Sequence, residues 1–148
     1  MRADEAQAAI VAEAETWLKT PWHHEARVKG AGVDCAMLVA EVFHAVGLIP
    51  KVEIQHYPRD YMFHYYEEKI LDQMRLYFDE ITDGSRLPGD VMIVKYGHTF
   101  SHCAIVIAWP KVIHAFAVTK CVEYGSAEES PFRSKEKMFF RARYGDGV

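Results

Sequence analysis

His102-Cys103-Ala104-Ile105-Val106-Ile107-Ala108 and Val112-Ile113-His114-Ala115-Phe116-Ala117-Val118, separated by Trp109-Pro110-Lys111, decide the fold of this chain. Both runs are dense in apolar and β-branched residues, both are short, and a proline interrupts them, so they read as neighbouring strands. A third run, Asp90 to Tyr96, precedes them behind the breakers Gly84 and Pro88-Gly89, and weaker runs cover Lys120 to Tyr124 and Met138 to Tyr144. Upstream the pattern is helical. Asp4 to Lys19 places Ile10, Val11, Ala14, Trp17 and Leu18 on one side and closes at Thr20-Pro21, because proline disfavours a helical residue before it. Asp34 to Val46 is apolar enough for a largely buried helix, with Gly47 as its C′ residue. Tyr61 to Glu80 carries Met62, Tyr66, Ile70, Met74 and Phe78 four apart, a stripe that reads as core. Helices first and consecutive strands afterwards predict an α+β fold, its N-terminal helices packed on a C-terminal antiparallel sheet.

At 148 residues the chain fits a single domain with a real core, residues 1–148. A net charge of −4 argues against an electrostatic nucleic-acid binder. No apolar run is long enough for membrane insertion. Met1 to Ala14 lacks the charged-then-apolar pattern of a signal peptide, which predicts synthesis in a cytoplasm without export by the general secretory route. The three cysteines, Cys35, Cys103 and Cys121, are odd in number and widely spaced, which argues against a disulfide framework and a CxxC zinc site.

Cys35 stands out among them. It follows Asp34, a good N-cap residue, at a helix start, where free backbone N–H groups and the helix dipole favour thiolate over thiol. Gly30 and Gly32 in the preceding loop let backbone approach a substrate. A catalytic thiol needs a histidine and an orienting group, and His102 and His114, polar groups inside apolar strands, meet that need. The pairing sets a condition. Joined by an even, unbulged hairpin of four loop residues, the two histidines would face opposite sides of the sheet; an odd loop or a β-bulge puts them on one face. Two bland readings accompany this one. Cys103, next to His102, should face the other side and serve as core, and Cys121 is a strand residue without a role. Cys35, His102 and His114 could instead hold zinc with an open position.

These residues carry a family resemblance. Thr20-Pro21-Trp22-His23-His24-Glu25-Ala26, Lys29-Gly30-Ala31-Gly32-Val33-Asp34-Cys35, Pro88-Gly89-Asp90-Val91, Ser101-His102-Cys103-Ala104-Ile105-Val106 and Ile113-His114-Ala115 resemble, in order and spacing, the NlpC family of papain-like cysteine peptidases, most nearly its phage cell-wall peptidase branch. The resemblance implies a papain-like fold with Cys35 as nucleophile, His102 as general base and His114 orienting the base, and the aromatic helix before Gly84 resembles the helical insert typical of the phage branch, around 50–83. It places Trp22 and His24 at the substrate groove. The implied reaction is hydrolysis of peptide bonds in bacterial peptidoglycan stem peptides, often between D-glutamate and a diamino acid, with no metal or cofactor. The implied setting is a phage tail tip, with other tail-tip proteins as partners and action in the periplasm or cell wall. Ala36-Met37 and Ala104 depart from the Ser-Gly and Gly common in the family. A structural tail-tip protein with a vestigial site, or a papain-like acyltransferase or amidase, are the alternatives.

Overall fold

The computed structural model describes residues 1–53 and 69–145. Helix α1, Ala3–Glu15, has Asp4 and Glu5 in its first turn, where carboxylates suit the positive end of the dipole. It buries Ala6, Ile10 and Ala14, spaced by four on one face. Four turn residues follow, and Trp17 seats its ring in the core while its indole N–H donates to Glu13 at 3.1 Å. Helix α2, Cys35–Ala45, starts at Asp34, whose carboxylate accepts the Met37 N–H at 3.0 Å, and ends before Gly47 at φ +80°. Seven of its eleven residues are buried, so its stability comes from packing on all but one side. Between the two helices lies a small two-stranded ribbon, β1 (Arg27–Val28) with β2 (Gly32–Val33).

The third predicted helix ends before Phe78, earlier than expected. Helix α3 spans Lys69–Tyr77, and the chain then extends into a strand, β3 (Phe78–Glu80), which pairs with the last strand of the sheet. The backbone of these three residues is recruited by a sheet edge, a non-local gain that helical periodicity does not encode. Met74 and Phe78 are core, as the stripe suggested; Met62 and Tyr66 lie outside the described residues.

The main sheet is antiparallel and six-stranded among the described residues, in the order β3-β8-β4-β5-β6-β7, with β4 Val91–Tyr96, β5 Thr99–Ala108, β6 Lys111–Phe116, β7 Cys121–Ser126 and β8 Lys137–Ala142. One face, with Val91, Ile93, Cys103, Ile105, Ile113 and Ala115, packs under the helices against Leu38, Val42 and Phe43. The other carries Met92, Val94, Ala104, Val106 and Val112 and is covered by Ala127 and Phe132 from the chain between β7 and β8. Both faces are buried, which explains why the strands read as continuous apolar runs rather than alternating ones.

The turn before β4 is held from two sides. Gly89 takes φ +87°, and a Cβ there would lie 3.0 Å from Ile10 Cδ1, so only glycine both makes the turn and lets α1 come close. Asp90, fully buried, accepts the Leu87 N–H at 2.8 Å and a bidentate pair from Arg141, 2.8 Å on each oxygen. Pro88-Gly89-Asp90 thus works as a clasp that ties β4 to β8.

Candidate active site

Two irregularities in β5 build the site. Opposite β6, Ile105 pairs with Ile113 and Val106 with Val112, but Ala108 pairs with Lys111, so Ile107 is an extra, bulged residue. The connection itself is two residues, Trp109-Pro110, so of the two expected routes, an odd loop or a bulge, the bulge supplies the parity. His102 and His114 consequently share the face of Ala104 and Val112. Opposite β4, His102 pairs with Val94 and Phe100 with Lys95, leaving Ser101 as a second bulge. That bulge turns the Ser101 carbonyl toward Cys35, whose Sγ donates to it at 3.5 Å.

The imidazoles meet directly: His102 Nε2 and His114 Nδ1 are 2.8 Å apart, both rings buried. Burial is the larger cause, and the neighbouring His102 charge the smaller, that lowers the His114 pKa to about 3. His114 is therefore held neutral over the physiological range, and the contact joins His102 Nε2 to His114 Nδ1 with the proton on one nitrogen or the other according to tautomer. This leaves His102 Nδ1 as the nitrogen able to take a proton from a thiol. The 2.8 Å contact turns the two nitrogens on each other, and among the described residues no three His, Cys, Asp or Glu side chains converge as metal ligands. Phe132 stacks on His102, centroids 5.8 Å apart at 18°, and meets His114 edge-on at 4.9 Å. Gly125 faces the same pair: a Cβ there would stand 3.2 Å from His114 Nε2 and 3.3 Å from the Phe132 ring.

Cys35 reaches this pair from the helix-covered side. Asp34, buried, fixes it by capping α2 with one oxygen and accepting the Glu25 N–H at 2.7 Å with the other, which also anchors the loop after Trp22. The thiol is held well below its usual range, first by a hydrogen bond from the Cys103 side chain and then by hydrogen bonding to, and the positive charge of, His102; burial opposes both. Cys103 in turn is pushed well above its usual range by donating to Cys35 and by burial. Cys103 is core, as expected, with its thiol hydrogen-bonded to Cys35. A thiol held toward thiolate at a helix start, next to a histidine already hydrogen-bonded to a neutral second histidine, can attack an electrophilic carbon.

The cleft over Cys35 has a volume of about 520 Å³. Trp22 and His24 line it together with Cys35 and His102, while His114 stands behind His102. His24 lies 3.9 Å from Asp34 and 3.7 Å from Glu25. Tyr96, Ser101 and Lys135 also line it and were not singled out in the sequence. Tyr96 closes the Asp90–Tyr96 run two residues past Val94, so its face was readable, whereas the Ser101 bulge and Lys135 left no signal. Cys121 opens β7 and pairs with Phe116.

Solved structures share this architecture. The NlpC/p60 domain of the peptidoglycan hydrolase SagA superposes with a TM-score of 0.59 at 20% identity, over 89% of this chain and 96% of that one. The peptidoglycan hydrolase RipB of Mycobacterium tuberculosis gives 0.64 at 15% identity, over 96% and 67%. NlpC2 of Trichomonas vaginalis gives 0.67 at 16%, over 96% of this chain and 47% of that one, so the present chain spans about half of that protein's length. At such identities the likeness is one of fold. No curated protein matches the chain in sequence. The NlpC/P60 family profile matches residues 19–141, from the end of the α1 turn to β8 and with all three site residues inside it, and the chain belongs to the NlpC/P60 family.

Proposed function

We propose that this protein is a cysteine peptidase that hydrolyses peptide bonds in bacterial peptidoglycan stem peptides, with residues 1–148 acting as one domain. The observation that carries the reading is the 2.8 Å His102–His114 hydrogen bond beside the lowered Cys35 thiol, all at one cleft. Cys35 is the nucleophile. His102 takes its proton on Nδ1, and the thiolate adds to the scissile carbonyl, whose oxygen accepts from the Cys35 backbone N–H at the start of α2. His102 then gives the proton to the departing amine, and the C–N bond breaks to leave a thioester. Water, deprotonated by His102, hydrolyses the thioester and returns the thiol. His114 stays neutral and holds the His102 tautomer, the role that a carboxylate or amide plays in related triads. Trp22 and His24 form the groove wall on the side of α2. Family membership and the peptidoglycan hydrolases among the structural neighbours support the substrate class. The sequence resemblance to phage cell-wall peptidases supports a tail-tip setting with other tail proteins as partners and action in the periplasm or cell wall. Residues 54–68 of the insert behind that part lie outside the described residues.

The test is digestion of purified peptidoglycan, with released fragments identified by mass spectrometry. Wild type should release stem-peptide fragments and lose this after iodoacetamide modifies Cys35. Cys35→Ala should release none; a Cys35→Ala protein that cleaves at the wild-type rate ends the reading.

A further inference from the structure

The His102 side of the cleft contains a polar group that the triad does not use. The Tyr96 hydroxyl is buried and has no hydrogen-bond partner among the described residues. A buried phenol left without a partner costs stability and calls for an occupant that would satisfy it. The ring stands edge-on to His102, centroids 5.6 Å apart, and lines the same cleft as Cys35. Burial first, and the Cys35 charge second, push its pKa to about 12, so it remains a donor whenever Cys35 is a thiolate. Lys135 reaches over it, Nζ 5.0 Å from the ring centroid, and also lines the cleft. Among the described residues no carboxylate lies within ion-pair distance of Lys135; the nearest thing to a partner is the face of the phenol. The Lys135 backbone is pinned, because the Lys137 ammonium donates to the Lys135 and Phe132 carbonyls at 2.9 and 2.6 Å.

Orientation follows from the chemistry. The group that protonates the leaving amine lies beside the leaving half of the substrate, and here that group is His102. Tyr96 and Lys135 stand on the His102 side, while Trp22, His24 and Asp34 stand on the α2 side. We infer that the Tyr96 hydroxyl and the Lys135 ammonium form a carboxylate-binding subsite for the residue on the leaving side of the scissile bond. The inference rests on the peptidase reading and names its substrate class: peptides whose leaving-side residue carries a free carboxylate. A neutral donor and an ammonium converging on one carboxylate make charge-assisted bonds, and losing either should cost roughly tenfold or more in affinity.

Two measurements separate this inference from the reading beneath it. In the first, kcat and KM are compared for two synthetic stem peptides that differ only in a free carboxylate or its amide on the leaving-side residue. Wild type should prefer the carboxylate. Tyr96→Phe and Lys135→Met should each raise KM for the carboxylate peptide about tenfold more than for the amide peptide, so that the preference is lost. In the second, lysine or lysinamide is titrated as a protectant while iodoacetamide alkylates Cys35, a reaction that needs no turnover. Lysine should slow alkylation of wild type more than lysinamide does, and the difference should vanish in both variants. Equal protection by the two compounds in wild type, or a carboxylate preference that survives in both variants, overturns the inference. Protection that behaves as expected in a protein that cleaves no peptide upholds the subsite and overturns the peptidase reading instead.

Discussion

On one face of β5, Cys103 and Ile105 lie under α2 in the larger apolar cluster; on the other, His102 shares its surface with Ala104, Val106 and the covering ring of Phe132. The two faces differ in what their burial achieves. The helix side gives mass to the core and presses Cys103 against Cys35. The far side keeps two titratable rings dry, and that dryness is what keeps His114 neutral. A cysteine on a helix and a histidine on a strand cooperate because they meet at the end of the sheet, where Ser101 bulges out of register. Apolar packing therefore contributes stability on one side and sets protonation states on the other.

Substitutions can break this contrast, starting with the largest effect. His102→Ala should lower the rate of peptide hydrolysis per folded molecule by about 10²–10⁴-fold, the usual contribution of a positioned acid–base group, while loss of a buried ring that bonds His114 and stacks on Phe132 lowers the melting temperature as well. Steady-state kinetics beside a melting curve would check it, and a rate within a few-fold of wild type would detach His102 from the chemistry. Phe43→Ala probes the helix side. Phe43 is fully buried and meets Phe78 edge-on at 4.9 Å, so urea unfolding should report a loss of about 3–5 kcal/mol with the rate per folded molecule preserved.

Gly125→Ala probes the far side at smaller cost. The added methyl would press on His114 Nε2 and Phe132, so overpacking of about 1–3 kcal/mol is expected together with a fall in kcat, because the displaced ring is the one in contact with His102. Stability lost without loss of kcat would mean that the His102–His114 contact tolerates displacement.

Acid should act through His114. Its folded pKa, about 3, lies below the ordinary 6.5, so between those values the unfolded chain binds a proton that the folded one does not. Stability contributed by neutral burial is then complete above pH 6.5 and declines as pH falls toward 3, with a slope of at most about 1.4 kcal/mol per pH unit from this one group. Urea titrations at a series of pH values should find that slope reduced in His114→Asn.

The smallest effect on stability is expected of Cys103→Ala, about 0.5–1.5 kcal/mol for deleting one buried heavy atom. Its signature is elsewhere: without the Cys103 hydrogen bond, the pH profile of Cys35 alkylation by iodoacetamide should move to higher pH. A profile that stays in place would assign the lowered thiol to His102 and the helix start alone.

Much of the scaffold was legible because its signals are local. Asp34 before Cys35 announced the cap, Gly47 the C-terminus, and the β-branched runs the strands, since each reflects a residue acting on its own backbone or its nearest turn. The strand β3 was not legible, because Phe78–Glu80 gains its hydrogen bonds from β8, more than fifty residues away. The pairing of His102 with His114 was legible only as a condition on parity, and the bulge at Ile107, not the loop length, met it. Gly125, inside a strand, carried the usual hint of a close approach, yet nothing local told which ring approaches.

By itself, then, the sequence determined the class of fold, the thiol at a capped helix start and the two histidines in neighbouring strands, because propensity, capping and periodicity act within a few residues. The tertiary structure alone decided that Cys103 meets Cys35, that Phe132 and Gly125 frame the imidazoles, and that Tyr96 and Lys135 stand beside His102. Those contacts join segments far apart in the chain, and burial and bulges, not local spacing, set their distances and their charge.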